Sequence, residues 1–531
     1  MSGVQFPVTD ASKKNSRSTT TTGMAILGAA LGAAATGTSA AAVAKLERER
    51  KWRFGYAPHF VAVAAEMASA DGSIALRVAE AGLAKCRDVM VFARDGTETP
   101  VGDIGKESAQ WVKVSSAPQM MTGREVGGGK GGNLGCIDVP HEGKAYRGDE
   151  LVSLVDGWCA NGTAEPSFGA SIREVVENGA DWLDLRGHTF ILLGATSEMG
   201  PYDHLLQCGA TVVGLARGNS RSKPDKWGSM KRRAAASPGT LIYPSAGVGD
   251  SPEGADITTQ TPEVIEWLLS LDEVAKAPAD HVHVYSGVYL DGAAFVTASV
   301  AMNEIVTALI EQLPHPPSLL YIDTPSHCHV VPTAVRDGSN TLSATAPGLL
   351  KALGAVGLAK RTPFVAAADG SAERVVMNGL ASLQGPNYAL AKYLQRWQAI
   401  VARHKGCAVS ITCGPGAKTA SIMHSPTLAI MMNNLDATAP PNMAMEPTTV
   451  QALMTMILIR DIRSPNANAR PGNALAHPMD LASENAWHAG AWRSPFDMGS
   501  VGIACFIRHY SRKYGVVALV GVLALMYWLL K

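Results

Sequence analysis

From about residue 184, short apolar runs alternate with longer stretches in which apolar side chains recur at helical spacing. Thr189 to Leu193 is the first such run and stops at Gly194; a helix is expected from about Gly200 to Gly209. Thr211 to Ala216 and Thr240 to Tyr243 read as the next strands. Val282 to Tyr285, Ser318 to Ile322, Val375 to Met377 and Ala408 to Thr412 continue the series. Helical stretches near 262–270, 293–313, 386–403 and 449–461 lie between them. Strands alternating with helices predict an α/β protein with a doubly wound parallel sheet covered on both faces.

The flanking segments read differently. Residues 1–23 are polar and rich in Ser and Thr, which predicts disorder. Residues 24–44 are uncharged and built of Ala, Gly and Thr, a composition open to a membrane span, a targeting segment or a linker. Residues 1–51 are therefore taken as a leader, and 52–183 as an additional N-terminal region without a placed motif. That region holds a helical stretch from Val61 to Lys85, an apolar run from Val89 to Ala93 and the loop Gly127 to Gly132. The loop is no phosphate loop, because Lys130 is followed by Gly131 and no apolar strand leads into it. At the other end, Val516 to Leu530 is apolar all round, with Tyr514, Tyr527 and Trp528 as interfacial anchors. Arg508, Arg512 and Lys513 precede it, so 515–530 is expected to be a C-terminal transmembrane tail anchor with the main body, 184–510 included, facing the cytosol. The sequon at Asn161 would then stay unused.

Charge and cysteine usage narrow the function. The net charge is zero, which argues against a nucleic-acid partner. The eight cysteines include no Cys-x-x-Cys and read as scattered reduced thiols. His327-Cys-His329 and His281-x-His283 each place two imidazoles on one face of an extended segment, but neither has a second ligand pair at zinc spacing, so no metal is expected.

The candidate chemistry lies in two places. Asp184-Leu-Arg-Gly-His-Thr-Phe-Ile-Leu-Leu-Gly-Ala-Thr-Ser-Glu-Met-Gly200 has the layout of a dinucleotide site: a buried strand, a glycine turn, then a helix N-terminus whose N–H groups can face a pyrophosphate. In Gly385-Pro-Asn-Tyr-Ala-Leu-Ala-Lys392, Tyr388 and Lys392 share one helix face, and a cation beside a phenol favours phenolate. Together these segments resemble the short-chain dehydrogenase/reductase superfamily, with its NAD(P)-binding Rossmann fold, over roughly 184–430.

The resemblance implies that Gly194, Ala195, Thr196 and Gly200 cradle the cofactor, although Glu198 or Ser197 stands where the family has its middle glycine. A carboxylate pointing inward there would repel a pyrophosphate. Arg217, first of a basic run, implies NADP(H) in preference to NAD(H). Asp256 would meet the adenine, and Pro415, Gly416 and Thr419 the nicotinamide. Tyr388 would exchange a proton with the substrate oxygen while Lys392 lowers its pKa and binds the ribose. Ser382 or Asn378 would polarise that oxygen, and Asn303 would prop the relay. The implied activity is that of a membrane-anchored ketone or aldehyde reductase, or alcohol dehydrogenase, acting on a small apolar, lipid-like substrate. Two alternatives stand beside it: an extended-type relative of the fatty acyl reductase or epimerase kind, and a non-catalytic Rossmann-like scaffold or sensor.

Overall fold

The computed structural model describes residues 2–10, 16–114, 120–129, 135–245, 253–381 and 384–515. Its centre is a seven-stranded sheet. In chain order its strands are β1 (Met121–Val126), β2 (Thr189–Leu193), β3 (Thr211–Leu215), β4 (Thr240–Ser245), β5 (Val282–Ser286), β6 (Ser318–Asp323) and β7 (Val409–Cys413). The spatial order is β7-β6-β5-β2-β3-β4-β1. The strands β2 to β7 are parallel, and β1 closes the β4 edge antiparallel. Every residue of β2, β5 and β7 is buried, which is why they read as continuous apolar runs rather than alternating ones.

The six parallel strands follow the 3-2-1-4-5-6 winding of a Rossmann sheet, so the strand order reverses between β2 and β5. Leu193 pairs with Ser286 across that seam and with Leu215 on the other side. The crevice outside the carboxyl ends of these strands is where such sheets take their ligands.

One expected strand belongs elsewhere. Val375 to Met377 lies in Arg374–Asn378, the middle of a separate three-stranded antiparallel sheet with Cys328–Pro332 and Phe364–Ala366. This sheet is inserted between β6 and the helix Gly385–His404. A short apolar run does not say whether its neighbours run parallel or antiparallel, so periodicity could not separate the two sheets. The helix after β2 is also shorter than expected, Tyr202–Gln207, with Pro201 at its N-cap.

The described N-terminal residues contribute to the main core rather than forming a disordered leader. The Ala/Gly-rich segment forms the helices Thr19–Ala34 and Gly37–Glu47. Ile26, Leu27, Ala30 and Leu31 are fully buried, and Thr19–Ala34 lies against the helix Gly72–Val89. Gly3–Gln5 pairs antiparallel with Val91–Arg94. Residues 52–183 are equally integrated: they supply β1, and their helices Gly148–Asn161 and Pro166–Glu177 share a core with Pro447–Arg463. The expected tail anchor from Val516 onward lies outside the described residues. Among the described residues, Ala293–Gln312 alone is long and apolar enough to cross a membrane, and it is mostly buried, packed on Gly385–His404.

The helix Gly72–Val89 packs against Gly385–His404, and Gly82 faces Trp397 across that contact. A Cβ there would sit 2.3 Å from the ring of the fully buried Trp397. Gly82→Ala is therefore expected to destabilise the fold by about 1–3 kcal/mol through overpacking, read as a lower urea midpoint at unchanged m.

Candidate active site at the sheet reversal

A cavity of about 1380 Å³ opens at the carboxyl ends of β2 and β5. Gly194, the first residue past β2, has φ +102, and an added Cβ would stand 2.8 Å from the Val288 nitrogen. Glycine is thus required there, where the chain leaving β2 passes under the chain leaving β5. The N–H groups of Gly194 and Ala195 both donate to the Leu215 carbonyl, tying the turn to β3. Thr196, Glu198 and Met199 line the cavity, and their N–H groups have no acceptor among the described residues. Gly200 and Ala195 shape the turn from behind: neither lines the cavity, and the Gly200 carbonyl accepts from Gln451 at 2.8 Å. The Glu198 carboxylate reaches across to accept the Ala420 N–H at 3.0 Å, so part of its charge is engaged by the segment after β7.

Tyr388 and Lys392 lie on the cavity wall, one turn apart on Gly385–His404. Their surroundings differ from the expected cation-lowered phenol. Burial pushes the Tyr388 hydroxyl up to about 12, against the pull of the Thr324, Ser326 and Gln384 side chains beside it. Burial likewise lowers Lys392, while Asp323 works to keep it charged. The ammonium donates to the Ile322 carbonyl at 3.0 Å and to Gln395 Oε1 at 3.3 Å. Gln395 is in turn anchored on the Ser299 hydroxyl at 3.1 Å. Ser299 and Gln395 thus prop the lysine. Asn303 does not line the cavity; it donates to the Leu394 carbonyl at 3.2 Å and braces one helix against the other.

The hydroxyls near the phenol come from the segment after β6, not from the strand just before Tyr388 in sequence. Thr324 and Ser326 line the cavity with their hydroxyls 2.9 Å apart. Ser382 lies outside the described residues. Asn378 lines the cavity, but its carbonyl oxygen accepts the Leu380 N–H at 3.2 Å and shapes its own turn. Counting parallel strands would have found Ser326: it follows the fifth strand of the six-strand winding, whereas Ser382 follows the inserted sheet.

Beneath these groups lies a buried ion pair. Arg396 Nε donates to Asp323 Oδ2 at 3.1 Å, and both side chains are 2% exposed. Burial raises the Asp323 carboxyl, but Arg396 outweighs that and holds it well below the usual carboxylate range. His329 completes the cluster, with Nε2 donating to the Thr324 carbonyl at 2.7 Å and Nδ1 3.3 Å from Arg396 Nη2. Burial keeps His327 and His329 neutral. His283 is also buried neutral, and His188 and His281 stack on each other at the opposite end of the sheet. No group of His, Cys, Asp and Glu able to hold a metal occurs among the described residues.

At the β3 end of the cavity, Arg217 Nε meets Asp256 Oδ2 at 2.8 Å, so the two residues expected to flank an adenosine are partners. Lys223 and Lys226 line the same end. Burial, then the neighbouring Lys223 and Arg217 charges, lower the Lys226 ammonium. Pro415, Gly416 and Thr419 line the side next to β7. His488 closes the wall: its Nδ1 accepts the Gly490 N–H, so Nε2–H donates to Glu165 at 3.0 Å. Glu165 also takes a two-point contact from Arg493 at 2.7 Å.

No protein-family model matches the chain, and no curated protein sequence matches it. Among solved structures, the chain is similar to an A1-type ketoreductase at 13% identity and TM-score 0.31, over 52% of this chain and 46% of that one. It is similar also to A-type ketoreductases from a modular polyketide synthase at 14% identity and TM-score 0.32, with the same coverage. The chain thus spans less than half the length of either structure.

Glu165 gives the site wall a pH dependence. Burial raises its carboxyl, but Arg493 and His488 outweigh this and bring it down to about 2. A carboxylate with a depressed folded pKa stabilises above its unfolded value near 4.5 and loses that contribution as pH falls toward 2. Glu165→Gln should therefore cost on the order of 3 kcal/mol at neutral pH. The difference from the unaltered protein should vanish between about pH 4.5 and 2 in denaturant titrations.

Proposed function

We propose that the cavity is the active site of an NADP(H)-dependent oxidoreductase of the short-chain dehydrogenase/reductase type, interconverting a carbonyl and an alcohol. One observation carries the reading. Tyr388, Lys392 and the Thr324–Ser326 hydroxyls line the same cavity as the Gly194 turn and the Arg217 cluster. A proton donor and a dinucleotide cradle meet at the sheet reversal, which is the arrangement this chemistry needs.

The residues present fit the cofactor. The open N–H groups of Thr196, Glu198 and Met199 suit a pyrophosphate, and Arg217, Lys223 and Lys226 suit the extra phosphate of NADP(H). Asp256 stands at the adenosine end, and Pro415, Gly416 and Thr419 would border the nicotinamide. When bound, the nicotinamide supplies or accepts the hydride.

This chain's own residues handle the oxygen and the proton. In the reducing direction Tyr388 gives its proton to the carbonyl oxygen, which a Thr324 or Ser326 hydroxyl also hydrogen-bonds. A phenol held near 12 is a proton donor at neutral pH and regains its proton readily. Lys392 uses two of its three N–H donors on Ile322 and Gln395, leaving one for a ribose hydroxyl. Its charge favours the phenolate left behind. The apolar run 516–530 would tether this body to a membrane.

A nucleotide-binding module without turnover is the second reading. It is favoured by Lys392 being bonded to the Ile322 carbonyl and Gln395 rather than beside the Tyr388 hydroxyl alone.

Fluorescence titration with NADPH and NADH separates the readings from a protein that binds neither. NADPH is expected to bind more tightly, and Arg217→Ala should reduce that preference. Tyr388→Phe should leave NADPH affinity unchanged and lower turnover of a carbonyl substrate by about 10²- to 10⁴-fold. Turnover that survives intact in that variant refutes the assignment. NADPH binding without turnover in the unaltered protein leaves the second reading.

A further inference from the structure

The cavity is larger than the roughly 300–1,000 Å³ that encloses one drug-sized ligand, and its size comes partly from outside the sheet reversal. Two helices after β7, Pro426–Thr438 and Met498–Tyr514, pack against each other and each turns one stripe toward it. Leu428, Met431, Met432 and Leu435 recur at i, i+3, i+4 and i+7 on the first. Gly499, Gly502, Ile503 and Phe506 form the second stripe. The opposite side of the second helix, Val501, Ala504, Cys505 and Ile507, is fully packed. Leu428, Met431, Ile503 and Phe506 are only half-buried, with their open sides on the cavity.

An apolar wall left facing open space is unfavourable unless something apolar fills it. The wall carries no charge in either stripe. Its Met side chains adapt to an apolar guest of variable conformation. The glycines point the same way. Gly502 has a helical backbone, and an added Cβ would meet only Met431 Sδ at 3.7 Å, an ordinary contact. Glycine inside a helix costs up to about 1 kcal/mol against alanine, so packing does not explain its presence there. What glycine preserves at that position is open volume in the cavity.

We infer that this chamber holds a straight hydrocarbon chain of the substrate, its carbonyl or alcohol end lying at Tyr388. The inference rests on the carbonyl–alcohol reading above for which end reacts, but chain binding itself is independent of turnover. Gly502, with Gly499 one turn before it, sets how long a chain is accepted.

The test is displacement of cis-parinaric acid from the full-length protein by straight-chain 2-ketones of increasing length. Affinity should rise roughly fourfold per added methylene until the chamber is full. Gly502→Leu should weaken binding of the long ketones at least tenfold and leave the short ones unchanged. Its melting temperature should hold or rise, because leucine is the better helix former. Gly499→Leu is the second obstruction, should Gly502→Leu not fold. NADPH titration of the same variants should match the unaltered protein. Affinity that does not depend on chain length, or an equal loss for short and long ketones, overturns the inference. Chain-length-dependent binding in a protein that never turns over a ketone would leave the chamber standing and remove the proposed activity instead.

Discussion

The buried pair Asp323–Arg396 is the constraint around which the site is assembled. Asp323 ends β6, and Arg396 sits one turn beyond Lys392 on Gly385–His404. Removing two charges from water is expensive, and their attraction offsets this only when geometry is good and the remaining donors are satisfied. Here Arg396 also donates to the Cys328 carbonyl, and the Asp323 carboxylate accepts the Thr324 N–H. The pair therefore ties together the parallel sheet, the inserted antiparallel sheet and the helix that bears Tyr388. A helix held this way has little freedom to slide, and sliding would separate Tyr388 and Lys392 from Thr324 and Ser326.

The same low-dielectric floor sets the electrostatics above it. Burial alone moves Tyr388 and Lys392 toward their neutral forms, and the Asp323 charge opposes the lysine's shift. His329 transmits the position of Arg396 to the Thr324 carbonyl. Lys392 and the Thr324–Ser326 hydroxyls thus depend on one set of buried contacts. The apolar chamber beyond them is built differently, from helix faces that make no polar contact with the site.

Much of the sheet was legible from the period of its apolar residues. The runs at 189, 211, 240, 282, 318 and 408 all entered the parallel sheet, because strands buried on both faces must be continuously apolar. The run at 375 met the same local criterion and joined another sheet. The hydroxyl after the last parallel strand before Tyr388 is therefore that of Ser326, whereas Ser382 follows a strand of the inserted sheet. Residues 24–44 misled for a related reason: a segment of Ala, Gly and Thr packs closely against other helices as readily as it fills a linker.

The sequence by itself determined the βα alternation, the glycine turn at Gly194 and the shared face of Tyr388 and Lys392. Each follows from backbone geometry over a few residues, which the chain encodes locally. Tertiary structure alone decided that Arg217 pairs with Asp256, that Glu198 turns to Ala420, and that Ser326 rather than Asn303 or Asn378 stands beside the phenol's other partners. It also decided that Tyr388 is raised rather than lowered, because burial depends on every element packed around a side chain. Long-range contacts and desolvation are properties of the assembled fold, and no local pattern records them.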